Sequence, residues 1–134
     1  MDTVNGAMRP DAADFHVEVG ETTSGTVTTL RLIGTLNVYT EPALAARVQE
    51  AMKGGAWSLV VSLAEVDHVD AEVGVGALLR ALRRLQAGNG TLLLAEVPEQ
   101  VRKAIKARGL GLVLQAFPTE ESAVAFLATW RSAA

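Results

Sequence analysis

The sequence contains no cysteine, which excludes disulfides and thiol catalysis and leaves zinc only two histidines plus carboxylates as ligands. It has no excess of positive charge: the formal net charge is −3 and the pI is about 5.3. Phosphate-rich partners select basic surfaces, so nucleic acid is not expected as the main partner. No apolar run approaches the roughly 20 residues that span a bilayer. Met1 to Gly6 carries no basic-then-apolar leader pattern. The expectation is a cytoplasmic chain without direct membrane insertion. Internal repeats, low-complexity tracts and an obvious interdomain linker are also missing. What is present is 134 residues, 49% of them hydrophobic, which is enough for one domain with a real core.

Residues 1–12 are polar and small with no period and read as a flexible arm, leaving one domain over 13–134. Phe15 to Val19 alternates apolar and polar and predicts a strand. Glu21 to Gly25 suits a hairpin turn. Thr26 to Gly34 is rich in β-branched residues and predicts a second strand, antiparallel to the first because the connection is too short for a crossover. Gly34 to Tyr39 reads as a loop, and Thr40 as the N-cap of a helix carrying Leu44, Val48 and Met52 on one face and ending at Gly54-Gly55. Trp57 to Leu63 predicts a strand buried on both faces. A helix from Ala77 to Ala87, a strand over Thr91 to Ala95 and a basic helix over Glu99 to Arg108 follow. Leu112 to Leu114 reads as a last strand. The final helix is capped by Thr119, with Ala123, Phe126, Leu127 and Trp130 as its buried stripe. The order β-β-α-β-α-β-α-β-α predicts an α/β fold: a mainly parallel sheet of about five strands with an antiparallel N-terminal edge strand and about four helices.

The stretch Val66 to Gly76 stands out as a polar loop between a buried strand and a helix, where open α/β sheets place their sites. Asp67, His68, Asp70 and Glu72 raise the question of a metal. Nothing in the spacing brings His16 to them, so solvated loop acids are the better reading, and no metal or other cofactor is expected. Gly74 and Gly76 invite a phosphate-cradle reading. No P-loop lysine follows them and the neighbouring acids would repel an anion, so close helix–sheet approach explains them better. Arg80, Arg83, Arg84, Arg102, Lys103, Lys106 and Arg108 read as solvated faces of two helices, or more sharply as a surface for an acidic partner. Tyr39 is the aromatic expected to be exposed.

Three segments taken in order resemble the STAS domain family of bacterial anti-sigma factor antagonists. The first is Leu32-Ile33-Gly34-Thr35-Leu36-Asn37 followed by Thr40-Glu41-Pro42-Ala43-Leu44. The second is Leu59-Val60-Val61-Ser62-Leu63 with Val66, Val69 and Asp70. The third is Gly74-Val75-Gly76-Ala77-Leu78-Leu79. Gly88-Asn89-Gly90-Thr91 entering a strand is also similar to the family pattern. The resemblance implies the STAS fold and a regulatory, non-enzymatic binding role. In that role the unphosphorylated protein docks on an anti-sigma factor of the GHKL kinase type and releases a sigma factor. Phosphorylation of a Ser or Thr in the family's D-S-(S/T)-G-(L/V)-G turn then breaks the complex by adding nearly two negative charges.

The chain departs from the family at that turn. Counting back from Gly74 puts Glu72 at the acceptor position; counting forward from Asp70 puts Ala71 there. No Ser or Thr lies between Leu63 and Gly90, so the usual site has no hydroxyl. Asn37 replaces the family's Asp. The resemblance implies a partner surface made of Asn37, Tyr39, Thr40, Asp70, Val73, Gly74, Val75, Gly76 and Arg80, and leaves a homodimer open. An alternative in the same family is a constitutive STAS subunit of a lipid-transport ABC complex, or a stress-signalling scaffold, where no switch is needed.

Overall fold

The computed structural model describes residues 17–133. The elements follow the expected order. They are β1 (Val17–Ser24), β2 (Val27–Leu36), α1 (Glu41–Lys53), β3 (Ser58–Val69), α2 (Ala71–Ala87), β4 (Thr91–Ala95), α3 (Glu99–Ala107), β5 (Ala116–Phe117) and α4 (Glu120–Ala133). The strands lie side by side in sequence order. β1 is antiparallel to β2 and every other pairing is parallel. Phe15, His16 and the predicted arm lie outside the described residues, as does the side chain of Trp130.

Alternation along the strands sorts the core into two layers. Leu30 and Leu32 of β2, Leu59 and Val61 of β3, and Leu92 and Leu94 of β4 point to one face, where α1, α2 and α3 cover them. Val27, Val60, Leu93 and Ala95 point to the other, where Ala123 and Leu127 of α4 cover them. The apolar runs of β3 and β4 are therefore buried on both faces, as their unbroken composition predicts. Phe126, expected in the same stripe of α4, instead sits at its margin and is 44% exposed.

Five boundaries differ from the sequence expectation. β1 runs on to Ser24, because its turn is only Gly25-Thr26 and Gly25 takes the positive φ of 62° that tight hairpins favour. β3 runs on to Val69 rather than stopping at Leu63. Its polar stretch Glu65 to Val69 pairs with Ile33 to Leu36 of a likewise longer β2, across two irregularities in register. Cross-strand pairing has overridden the polar pattern. α2 begins at Ala71, not Ala77, so most of the expected loop is helix or strand. The last strand is Ala116–Phe117, not Leu112–Leu114. Leu110 to Leu114 instead forms a turn closed by the Val113 and Leu114 amides on the Leu110 carbonyl (3.0 and 2.8 Å), which drops Leu114 into the core.

The junction of α2 and β4 holds a very close backbone approach. A Cβ on Gly90 would stand 2.4 Å from the Trp57 carbonyl oxygen and 3.1 Å from that of Leu85. Both carbonyls are engaged, by Thr91 N–H (2.9 Å) and Gly90 N–H (2.7 Å) respectively. Gly90→Ala is therefore expected to destabilise by about 1–3 kcal/mol through overpacking. Gly111→Ala, with open space around its Cβ, leaves the urea midpoint unchanged and serves as the control.

α4 is tied to the sheet by charge as well as by packing. Thr119 caps it, its hydroxyl accepting from Ser122 N–H at 3.0 Å. The Arg31 guanidinium of β2 grips Glu120 with Nε to Oε2 at 2.9 Å and Nη2 to Oε1 at 2.5 Å. The hydrogen bonds from Arg31 hold the Glu120 carboxyl below the usual carboxylate range, against the opposing effect of burial, with a smaller contribution from Ser62. The folded pKa is thus lower than the unfolded one. Unfolding takes up a proton, so the contribution is complete above the ordinary carboxylate range and is lost as the pH falls through that range to the lowered folded value. Glu120→Gln should be less stable than the parent at neutral pH, with the gap narrowing as the pH falls from about 5 through the ordinary carboxylate range and below it. Urea titrations across that range read it directly.

Candidate functional site

The candidate site lies at the carboxyl ends of β2 and β3. β2 stops at Leu36, and Asn37 turns the chain. Its Oδ1 accepts from Tyr39 N–H (2.9 Å) and Thr40 N–H (3.2 Å). This is a side chain standing in for backbone in a tight turn. Thr40 occupies the N-cap position of α1, but its hydroxyl does not cap the helix. It donates to the Thr35 carbonyl at 2.7 Å and accepts from Asn37 N–H at 2.9 Å. The loop is closed on itself, and its two remaining side chains, Val38 and Tyr39, stand out with 63% and 67% of their surface exposed.

α2 starts beside this loop for a reason visible in the backbone. Asp70 N–H donates to the Leu36 carbonyl at 2.9 Å, joining the ends of the two strands. The Asp70 carboxylate then accepts from Glu72 N–H (3.1 Å) and Val73 N–H (3.2 Å), satisfying two of the otherwise orphaned amides of the first turn. Asp70 is thus the residue that starts a helix where a loop was expected. Gln100 of α3 braces the junction, its Nε2 donating to the Val69 carbonyl at 3.1 Å.

Between loop and helix lies a groove of about 300 Å³ lined by Val38, Glu41, Glu72, Val73, Gly76 and Arg80. Its charges are paired within the chain. Arg80 Nη2 lies 3.3 Å from Glu41 Oε2, and Arg108 Nη2, just past α3, lies 3.1 Å from Glu72 Oε1. The result is an apolar lip next to balanced charge, suited to contact with a protein surface. Gly76 leaves room for the Arg80 guanidinium, which would stand 3.3 Å from a Cβ there.

The residues singled out from sequence divide accordingly. Val73, Gly76, Arg80 and Glu72 line the groove, and Asn37, Tyr39, Thr40 and Asp70 build its edges. Gly74 and Val75 are buried on the inner side of α2, which corrects their expected place on the surface. Gly74 lets the helix settle on the sheet: a Cβ there would be 3.2 Å from Val69 Cγ2 and 3.5 Å from Leu36 Cδ2. Ala71 is half-buried in the first turn and does not line the groove. Val38 lies within the Asn37–Thr40 loop expected at the surface, and Arg108 was read only as part of a basic face. Glu41 and Gln100 were missed: Glu41 follows directly on that loop in the first turn of α1, whereas Gln100 is recruited from α3. Among the described residues no group of three or more His, Asp or Glu is placed to hold a metal ion, and no helix is long and apolar enough to cross a membrane.

Asp70→Ala removes the cap and should cost about 1 kcal/mol, with Asp70→Asn retaining most of that stability. Amide exchange at Glu72 and Val73, faster in the alanine variant, locates the loss in the first turn of α2.

No curated protein matches the chain. Among solved structures, an anti-sigma factor antagonist from Mycobacterium paratuberculosis superposes with a TM-score of 0.72 at 21% identity, covering 82% of this chain and 92% of its own. The anti-sigma factor antagonist SpoIIAA in its unphosphorylated form gives 0.69 at 24% identity, covering 85% and 97%. The phosphorylated form of SpoIIAA, a Bacillus cell fate determinant, gives 0.64 at 23% identity, covering 84% and 99%. At these identities the likeness is one of fold. The STAS domain family model matches residues 20–123, most of the chain and all of the groove, and so the chain belongs to the STAS domain family.

Proposed function

We propose that this protein is a regulatory binding module of the anti-sigma factor antagonist type, docking on an anti-sigma factor of the GHKL kinase class through the groove between the β2–α1 loop and the first turns of α2. The observation that carries the reading is the exposure of Val38 and Tyr39, neighbours on the β2–α1 loop, beside a groove that Val38 lines together with Glu72, Val73 and Arg80. Exposed apolar and aromatic side chains on a loop held rigid by its own hydrogen bonds are suited to anchor a protein partner.

Glu72 is the switch-equivalent position in this reading, because it lines the groove and Ala71 does not. It brings one permanent negative charge where a phosphate would bring nearly two. That charge is met at 3.1 Å by Arg108, so the groove carries no net excess and stays competent for docking. Release of the partner by phosphorylation at this turn is closed to the chain, which has no hydroxyl side chain between Leu63 and Gly90.

Titration calorimetry against GHKL-type anti-sigma factors tests the proposal. One of them should bind, and Tyr39→Ala should weaken it at least about tenfold, as expected for an aromatic anchor. With the same partner and ATP, Glu72→Ser should gain phosphate and Ala71→Ser should not. Binding by none of these factors, or binding indifferent to Tyr39, sinks the reading. Binding only to an ABC ATPase would favour a constitutive structural subunit instead.

A further inference from the structure

At the amino end of β3, away from the docking groove, a second set of side chains converges. The chain re-enters the sheet here through Trp57, just ahead of Ser58. Gln49, Met52 and Lys53 stand at i, i+3 and i+4 of α1 and so share one side of that helix. With Trp57 and with Arg84, from the last turn of α2, they line an open groove of about 520 Å³, a size within the range of small-molecule sites. The indole is seated from behind by glycine. A Cβ on Gly88 would lie 2.3, 2.7 and 2.9 Å from its Cζ3, Cη2 and Cε3, and a Cβ on Gly90 would lie 3.2 Å from the Cβ of Trp57. Two glycines thus make room for this side chain, yet it stays only half-buried at the margin of the core. A rigidly held ring that still faces a groove is a preorganised surface for stacking.

We infer that this groove binds a small aromatic anion, its ring against Trp57 and Met52 and its carboxylate or phosphate held by Lys53 and Arg84. The charges decide the sign of the ligand. Both cations are exposed, and neither makes an ion pair among the described residues. No acid lines the groove, whereas three other charged grooves on the described surface mix glutamate with arginine. Arg84 also borders a neighbouring cleft that contains Glu41, but Arg80 holds that carboxylate at 3.3 Å. A cation in the last turn of a helix is accounted for by the helix dipole. That covers Lys53 and Arg84 one at a time, and leaves unexplained why both open on one groove with a glycine-seated indole. Together they supply what an aromatic anion needs: a face for its ring, and a guanidinium and an ammonium for its charge. The lining of five side chains matches one ring with its anionic group rather than an extended partner. The docking groove lies at the carboxyl ends of β2 and β3, so the two sites are separate surfaces.

Titration of the full chain followed by proton–nitrogen NMR tests this, with the indole N–H of Trp57 as the reporter. Two probes join a flat ring to an anion: naphthoate carries a carboxylate and adenosine monophosphate a phosphate. Naphthalenemethanol supplies the ring without the charge, and inorganic phosphate the charge without the ring. At least one of the two aromatic anions should shift the Trp57 signal with a Kd below about 1 mM, at least about tenfold tighter than either control. The tighter of the two identifies the anionic group. Lys53→Gln combined with Arg84→Gln should weaken that binding at least about tenfold and leave the melting curve unchanged, because both side chains are exposed. Arg83→Gln combined with Lys106→Gln removes the same charge from exposed positions outside the groove and should leave binding unchanged. Three results overturn the assignment: aromatic anions that bind no tighter than the controls, an equal loss in the two double variants, or shifts that leave the Trp57 indole unmoved. None of these outcomes bears on anti-sigma factor binding, which is measured separately.

Discussion

The parallel pairing of β2 with β3 is the constraint on which the rest of the molecule depends. It runs from Val27↔Ser58 to Leu36↔Val69 and absorbs two irregularities in register on the way. Had it stopped where the apolar residues of β3 stop, at Leu63, the loop after β2 and the start of α2 would have no common anchor. Because it continues, Leu36 and Val69 end level, and the Asp70 amide closes on the Leu36 carbonyl. The loop carrying Tyr39 and the helix carrying Arg80 are then neighbours by construction. Parallel strands hydrogen-bonded to their ends fix each other's position along their length, so the geometry of the groove is set by the sheet rather than by contacts within the groove itself.

The readable and unreadable parts of the sequence divide on physical lines. Element order and the buried strands β3 and β4 were legible because they rest on strong local patterns. Leu59 to Leu63 and Leu92 to Ala95 are almost unbroken apolar runs, and Gly54-Gly55 and Gly88-Asn89-Gly90 punctuate the helices. The end of β3 was not legible, because Glu65, Asp67 and His68 look like loop and become strand only through β2. The start of α2 was concealed by Gly74 and Gly76, poor helix formers that are nonetheless helical because Asp70 caps the turn and Gly74 fits closely over Val69. The last strand was misplaced because Leu112 to Leu114 has strand composition, yet forms a turn that buries only Leu114. The candidate surface was legible as a set of segments. Its partition into groove, edge and core was not, since which side of α2 a residue faces depends on where the helix begins.

The two ion pairs at the groove tie its lining to the neighbouring helices. Glu41–Arg80 and Glu72–Arg108 join three segments: the start of α1, the first turns of α2, and the end of α3. Both pairs are partly exposed and contribute little to stability. Their effect is on the shape of the potential, which they flatten across the groove by setting each acid of the lining beside an arginine.

The two layers over the sheet are unequal, and this has a dynamic consequence. Three helices share one face, while α4 alone covers Val27, Val60 and Leu93, with Ala123 and Leu127 as its fully buried side chains among those described. To these it adds the grip of Arg31 on Glu120. A layer made of one helix has no neighbouring helix to hold it, so it is the natural unit of sub-global opening, one in which the first layer would stay intact and a strip of the second sheet face would be wetted. Phe126 and Leu127 of the same helix also line a groove at the β4 edge together with Leu92 and Leu112, so any occupant of that groove would hold α4 in place.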